Sequence, residues 1–292
     1  MYAPAMPPVS LVTDTTQYLP REVIERHSIH LVSLYVNWNG RTDREADLPD
    51  YDAFYDYLRS GADLPSTSQP SVGDFLAVYE PLIERGDDIL SIHLSGGISG
   101  TVHAAEQARQ ALLEQGVDEH RIAVIDSRSG CAGHGFMALA AANAPGGLAK
   151  KAAAAHALRE DLQLLVAVDT LEFLRRGGRI GAARAWIGAT LKVKPILTIE
   201  GEMQPVERVR TSARAFERLI EHLRQRKEDG CDAFGVQHTS APEVAERLAE
   251  RGREIYGADP VILSEIGPVI GTHTGPGLLG VAGLRSELLG TV

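Results

Sequence analysis

Compact apolar runs recur along this chain with helical stretches between them, and that alternation constrains the fold more than any other feature. Val9–Asp14 is a short apolar run ending in an Asp-Thr-Thr turn, and Ile89–Leu94 and Ile122–Asp126 read as compact buried strands. An Ala-rich segment, Thr101 to Leu113, fills the space between the last two and reads as a helix. Strand, helix and strand in that order call for a crossover, and crossovers give a parallel sheet with helices on its faces. His30–Trp38 reads as a further strand. Tyr51, Phe54, Tyr55 and Leu58 mark one helical face, and Phe75, Val78, Tyr79 and Leu82 mark another. The second of these helices is entered through Ser71 with Asp74 three residues on, the pattern of a capping box.

The second half has the same vocabulary with one addition. Ala138 to Arg159 is Ala-rich and helical, interrupted by Pro145-Gly146-Gly147, and Leu162–Val168 is a strand. A helix is expected around Trp186. Pro195–Ile199, the turn Glu200-Gly201-Glu202 and Gln204–Val209 form a hairpin, which makes this sheet mixed. Phe216, Leu219, Ile220 and Leu223 lie on one helix, Phe234–His238 is a strand, and Ser240-Ala241-Pro242-Glu243 opens another helix with Ser240 as its cap. Val261–Glu265 and Leu279–Leu284 close the unit. The expectation is an α/β protein of two α/β domains, residues 1–165 with a mainly parallel sheet flanked by helices and 166–292 with a mixed sheet. No Ser/Gly linker marks the boundary, so the two should pack closely.

A chain of 292 residues, 44% hydrophobic and 23% charged, can bury a substantial core. It has no apolar stretch near the roughly 20 residues of a membrane helix, and Met1 to Pro8 lacks the basic region of a signal peptide. Cys131 and Cys231 show neither metal nor redox spacing and suit a reducing, cytoplasmic compartment. A net charge of −10 argues against nucleic acid. The charge is uneven: Glu172 to Arg218 holds ten Lys/Arg against five Asp/Glu, a basic band suited to an anionic ligand or an acidic partner, or else a solvated helix face.

Familiar catalytic patterns fail on context. Gly275-Pro276-Gly277-Leu278-Leu279-Gly280 has the letters of a dinucleotide loop, but only twelve residues follow it, too few for a βαβ unit. No P-loop occurs. Gly97-Ile98-Ser99-Gly100-Thr101 approaches a nucleophile elbow with its second glycine one place early. Histidines lack metal-binding spacing, and no metal or other cofactor is expected. Three polar segments remain: Ser66 to Ser71, Ser95 to Thr101, and Gly271 to Gly277. Each brings hydroxyls beside a helix start or flexible backbone; converged, they would form a donor-rich cup for an anionic oxygen group, and singly they would be ordinary caps.

Taken in order, Asp14-Thr15-Thr16, Thr67-Ser68-Gln69-Pro70-Ser71, Ser95-Gly96-Gly97-Ile98-Ser99-Gly100-Thr101, Ile125-Asp126-Ser127, Gly177-Gly178-Arg179-Ile180, Lys194-Pro195-Ile196, Val209-Arg210-Thr211 and Gly271-Thr272-His273-Thr274-Gly275 resemble the DegV family from about Ser10 to Gly283. The resemblance implies two α/β domains that bury one long-chain fatty acid, about C16–C18. It implies a non-catalytic carrier that presents the carboxylate to a separate kinase subunit, whose acyl-phosphate product feeds phospholipid synthesis. Thr67 and Ser99 would be the carboxylate-binding hydroxyls and His273 the third head-group contact. Arg179 and Arg210 would meet the kinase or the acyl-phosphate. One departure is Gly96, where the family often has a second serine. The rival readings are an esterase or acyltransferase using Ser99 with His273, and a carrier for another hydrophobic acid or a lipid-sensing interaction module.

Overall fold

The computed structural model describes residues 6–61, 63–187 and 193–290; Met1 to Ala5 and Lys192 of the basic band lie outside the described residues. The chain opens with β1 (Val9–Asp14), α1 (Arg21–Arg26) and β2 (His30–Val32). A small excursion follows: β3 (Tyr35–Trp38), β4 (Arg41–Arg44), α2 (Asp52–Arg59) and β5 (Ser66–Ser68). Next come α3 (Val72–Arg85), β6 (Asp88–His93), α4 (Thr101–Glu114) and β7 (Ile122–Asp126). Two helices, α5 (Ala132–Asn143) and α6 (Leu148–Asp161), lead to β8 (Gln163–Ala167). Beyond it are α7 (Glu172–Arg176), β9 (Lys194–Glu200), β10 (Glu202–Val209), α8 (Ser212–Glu228) and β11 (Ala233–His238). The chain ends with α9 (Pro242–Tyr256), β12 (Ile262–Glu265), α10 (Pro268–Thr274), β13 (Leu279–Leu284) and α11 (Ser286–Leu289).

The result is an α/β fold with a parallel sheet and a mixed one. The first sheet runs β2-β1-β6-β7, every pair parallel. The second runs β10-β9-β8-β13-β11-β12, antiparallel except at β11–β12. Strand β8, which straddles residue 165, pairs only within this second sheet. A three-stranded antiparallel patch, β4-β3-β5, completes the set.

Helix α5 explains how the sheets pack. It is buried from Ala132 to Ala141 with no polar face, as a helix enclosed on all sides must be. It touches β1 and β6 of the first sheet, and Phe136 fills the space over Gly235 of the second, where any Cβ would collide with the ring. One core cluster therefore joins Leu90, Ile92 and Ile125 to Leu164, Val166 and Ala282. The outer faces are closed separately, by α3 and α4 on one side and by α8 and α9 on the other.

Three sequence expectations need correction. His30–Trp38 is two strands in different sheets, because the backbone at Ser33-Leu34 is claimed elsewhere: Leu34 N–H donates to Thr15 Oγ1, and Leu34 C=O accepts from Glu45 N. The segment around Thr67 is a strand paired antiparallel to β3 rather than a bare turn. Helix α9 is capped at Ala241, not Ser240; Ser240 adopts φ 46°, its N–H donates to Glu265, and Ala241 N–H donates to His238 Nδ1. The Ser71–Asp74 capping box is present as expected. Gly275 to Gly280 leads from a helix into β13, the reverse of a dinucleotide loop. The helix expected around Trp186 is 3-10, Gly181–Trp186. Among the described residues no helix is long and apolar enough to cross a membrane, and no cluster could hold a metal ion.

Candidate ligand-binding site

Between the two sheets lies a cavity of about 300 Å³, lined mainly by apolar side chains from both. Leu94, Ile98, Cys131 and Ala132 come from the first sheet's side, and Leu164, Val166, Gly280 and Ala282 from the second. Thr67, Ser99, Arg179 and His273 also line it; Arg210 does not, and lies exposed between β10 and the Thr211 cap of α8.

The polar residues are linked partly by contacts and partly through the chain. Thr67 Oγ1 and His273 Nε2 are 2.8 Å apart. His273 Nδ1 sits against Gly177, where a Cβ would overlap it. The Arg179 guanidinium donates to Gly177 O at 2.7 Å and to Ile98 O at 3.2 Å, and Ser99 follows Ile98. Gly100 then meets the Gln69 amide so closely that a Cβ there would displace it, and Gln69 lies two residues after Thr67. Gln69 and Gly177 were not singled out from sequence, although both lie inside motifs that were.

Each hydroxyl is held so that its proton can face the cavity. Thr101 N–H donates to Ser99 Oγ at 3.3 Å and the Thr101 hydroxyl lies 2.8 Å from it, so Ser99 can accept there and donate inward. Thr67 can accept from the Nε2–H tautomer of His273 and do the same. Burial first, and then the Arg179 charge, pull the His273 imidazole down to about 4, so it is neutral at pH 7. Among the described residues its Nδ1 is buried without a hydrogen-bond partner, so none of their carboxylates orients the ring. Gln237, a polar residue on the cavity wall, spends its amide on the protein: Oε1 accepts from Ala132 N at 2.6 Å, and Nε2 donates to Ser264 at 2.9 Å.

Two buried carboxylates hold the elements beneath these residues. Glu45 Oε1 accepts from Tyr18 OH and from Val269 N, both at 2.8 Å, and so satisfies the start of α10, the helix that carries His273. Burial raises its carboxyl to about 7, against the pull of the Val269 N–H. Asp14 ends β1 and accepts from Thr16 N, His93 Nδ1 and Leu94 N, with His134 Nε2 at 3.4 Å. Burial alone would raise this carboxyl, but His134 and His93 outweigh it and hold it well below the usual carboxylate range. The Ser99 loop starts directly after this anchor. It is pinned at its other side: Ser95 Oγ donates to Gly201 O in the β9–β10 turn, and Gly97 lies so close to that carbonyl that no Cβ could fit.

Because Gly177 has φ −72°, alanine suits its backbone and only the new Cβ is in conflict. Gly177→Ala is expected to push the imidazole off Thr67 towards solvent. Histidine NMR should then show His273 titrating nearer the ordinary 6.5 than about 4; an unmoved titration would contradict the contact.

Comparison with known proteins agrees with this architecture. The family model described as "Uncharacterised protein, DegV family" matches residues 8–285. A DegV domain-containing protein of Streptomyces coelicolor is 39% identical over 280 residues, 94% of this chain and 97% of that one. The solved structure of DegV from Bacillus subtilis, a fatty acid binding protein, is 35% identical with a TM-score of 0.85, covering 96% of this chain and 100% of that one. A DegV family protein from Thermus thermophilus, solved for its fatty acid binding, is 34% identical with a TM-score of 0.85, covering 95% and 99%. By family match, by sequence and by fold, the chain belongs to the DegV family.

Proposed function

We propose that this chain binds one long-chain fatty acid in the cavity between its sheets, with the carboxylate at Thr67, Ser99 and His273. The observation that carries the reading is a mainly apolar cavity lined by two hydroxyls, Thr67 and Ser99, each with an acceptor contact that leaves its proton free. Burying 14 to 17 methylenes contributes on the order of 11–14 kcal/mol gross, before the cost of association. The cavity therefore supplies affinity, and the polar residues have only to satisfy the head group. Neutral donors suit that role, since a buried bidentate arginine would clamp the carboxylate and dull its oxygens as nucleophiles.

In this reading the chain does no chemistry itself. It divides near residue 165 into two α/β units that enclose the acid, and it presents the carboxylate to a separate kinase for acyl-phosphate formation, with Arg179 and Arg210 turned towards that partner. The hydrolase alternative needs Ser99 beside His273 and an acid behind the imidazole. Here Ser99 pairs with Thr101, His273 pairs with Thr67, and Nδ1 has no partner among the described residues.

Native mass spectrometry of the purified protein should show one co-purifying acid of about 16–18 carbons. Thr67→Val with Ser99→Ala should weaken palmitate binding by about a hundredfold or more, as expected for losing two hydrogen bonds to a charged group. A folded double variant that binds palmitate like the parent would remove the head-group assignment. Ester turnover abolished by Ser99→Ala alone would favour the hydrolase.

A further inference from the structure

On the second sheet the cavity wall is built in ranks across β8, β13 and β11. Val166, Gly280 and Gln237 form one rank, and Leu164, Ala282 and Gly235 the next. The rank beyond holds Leu284 and Ala233, which are buried in the core and do not line the cavity. Helix α5 lies over these ranks in step with them. Ala132 N–H donates to Gln237 Oε1 at the first, and Phe136, one turn on, covers Gly235 at the second. Four helical residues advance about 6 Å and two strand residues about 7 Å, so the helix keeps pace with the strands. Phe136 is fully buried, and its Cζ stands 2.5 Å from where a Gly235 Cβ would be. Gly235 is a mid-strand residue without a positive φ, so its backbone does not call for glycine; the space taken by the phenyl group does. With Ala282 beside it, this rank leaves a hollow under α5 that the phenyl group fills.

We infer that Phe136 is a specificity-determining residue: its phenyl group closes the deep end of the cavity and excludes acids whose tails would pass Gly235 and Ala282. The inference rests on the fatty-acid reading of the cavity and extends it to an upper limit on chain length. Phe136 is not part of the wall that Gly235 and Ala282 form; it stands behind Gly235, where the cavity would otherwise continue. Its neighbours there, Leu139, Ala140, Ala233 and Leu284, belong to the same apolar cluster. Emptied of the phenyl group, that place would be a hollow walled by hydrocarbon, which stays dry and accepts an apolar guest. A phenylalanine that only fills core would leave the choice of acid untouched, and that is the difference an experiment can read.

Competition between palmitate and the longer acid arachidate on the full chain tests the assignment. Phe136→Ala should raise the affinity for arachidate relative to palmitate about fifteenfold, the gain for burying two further methylenes. Because emptying a core position can unfold a chain, Phe136→Leu is measured beside it and should move the ratio the same way by less. Gly235→Val added to Phe136→Ala refills the hollow from the strand side with a residue that suits a strand, and should return the ratio to that of the parent. An unchanged ratio in a folded Phe136→Ala or Phe136→Leu protein would overturn the assignment. So would a rise that Gly235→Val does not reverse, since the cause would then be general loosening and not the filled space. A parent protein that binds neither acid would instead sink the reading of the cavity itself.

Discussion

Asp14→Ala is expected to cost about 3–5 kcal/mol of folding stability, the range for removing one partner from a buried ionic network. The carboxylate is fully buried and gathers donors from three elements. Thr16 N follows β1, His93 Nδ1 and Leu94 N end β6, and His134 belongs to α5. Alanine would leave these groups facing one another without their shared acceptor. Asp14→Asn, which keeps one acceptor oxygen, should lose less. Urea unfolding at neutral pH reads both, and a loss below about 1 kcal/mol for alanine would show that the network is not a support. The same group fixes a pH dependence. Its folded-state value lies below the ordinary 3.8, so its stabilisation is complete above that value and fades as pH falls below it. Asp14→Asn should flatten that part of the acid limb.

Ala282→Leu should shift the preferred ligand to a shorter acid. Ala282 is fully buried, lines the cavity, and lies in register with Leu164 of β8 and Gly235 of β11. The rank formed by Val166, Gly280 and Gln237 lies two residues nearer the strand end that follows α10 and His273. Ala282 is thus about 7 Å further along the sheet than that rank. Leucine adds three carbons where methylenes of a long acid would lie. Excluding three methylenes at about 0.8 kcal/mol each lowers affinity roughly fiftyfold. Competition among laurate, myristate, palmitate and stearate should show stearate falling most and laurate least. Unchanged preference in a folded variant would place the acyl chain elsewhere.

Much of the scaffold was legible because its signals are local. The unbroken run Ile89–Leu94 and the Ser71–Asp74 pair carry their own instructions, and both stand where the pattern put them. His30–Trp38 misled because its apolar letters continue through Ser33-Leu34, while the break is made by Thr15 and Glu45, which approach only in the folded chain. Ser240 misled for a similar reason: Glu265 takes the N–H that a cap would have left free. The candidate site was legible only as separate motifs in a resemblance. Its assembly depends on two glycines, Gly100 and Gly177, whose contribution is the absence of a side chain beside Gln69 and His273. Hydropathy patterns do not register such contacts. Nor do they register Asp14, His93 and His134, three polar residues far apart in sequence that meet in one buried cluster.

The clasp between the Ser99 loop and the β9–β10 turn bears on how cargo gets in and out. Ser95 grips Gly201 O, Arg128 O receives the Gly201 N–H at 2.7 Å, and Gly97 rests on the same turn. The loop cannot swing away as an independent flap. Loading and unloading must either carry the turn along or first undo those grips, so exchange of an acid becomes a concerted, activated event whose tempo is governed by a few backbone fastenings rather than by grease alone.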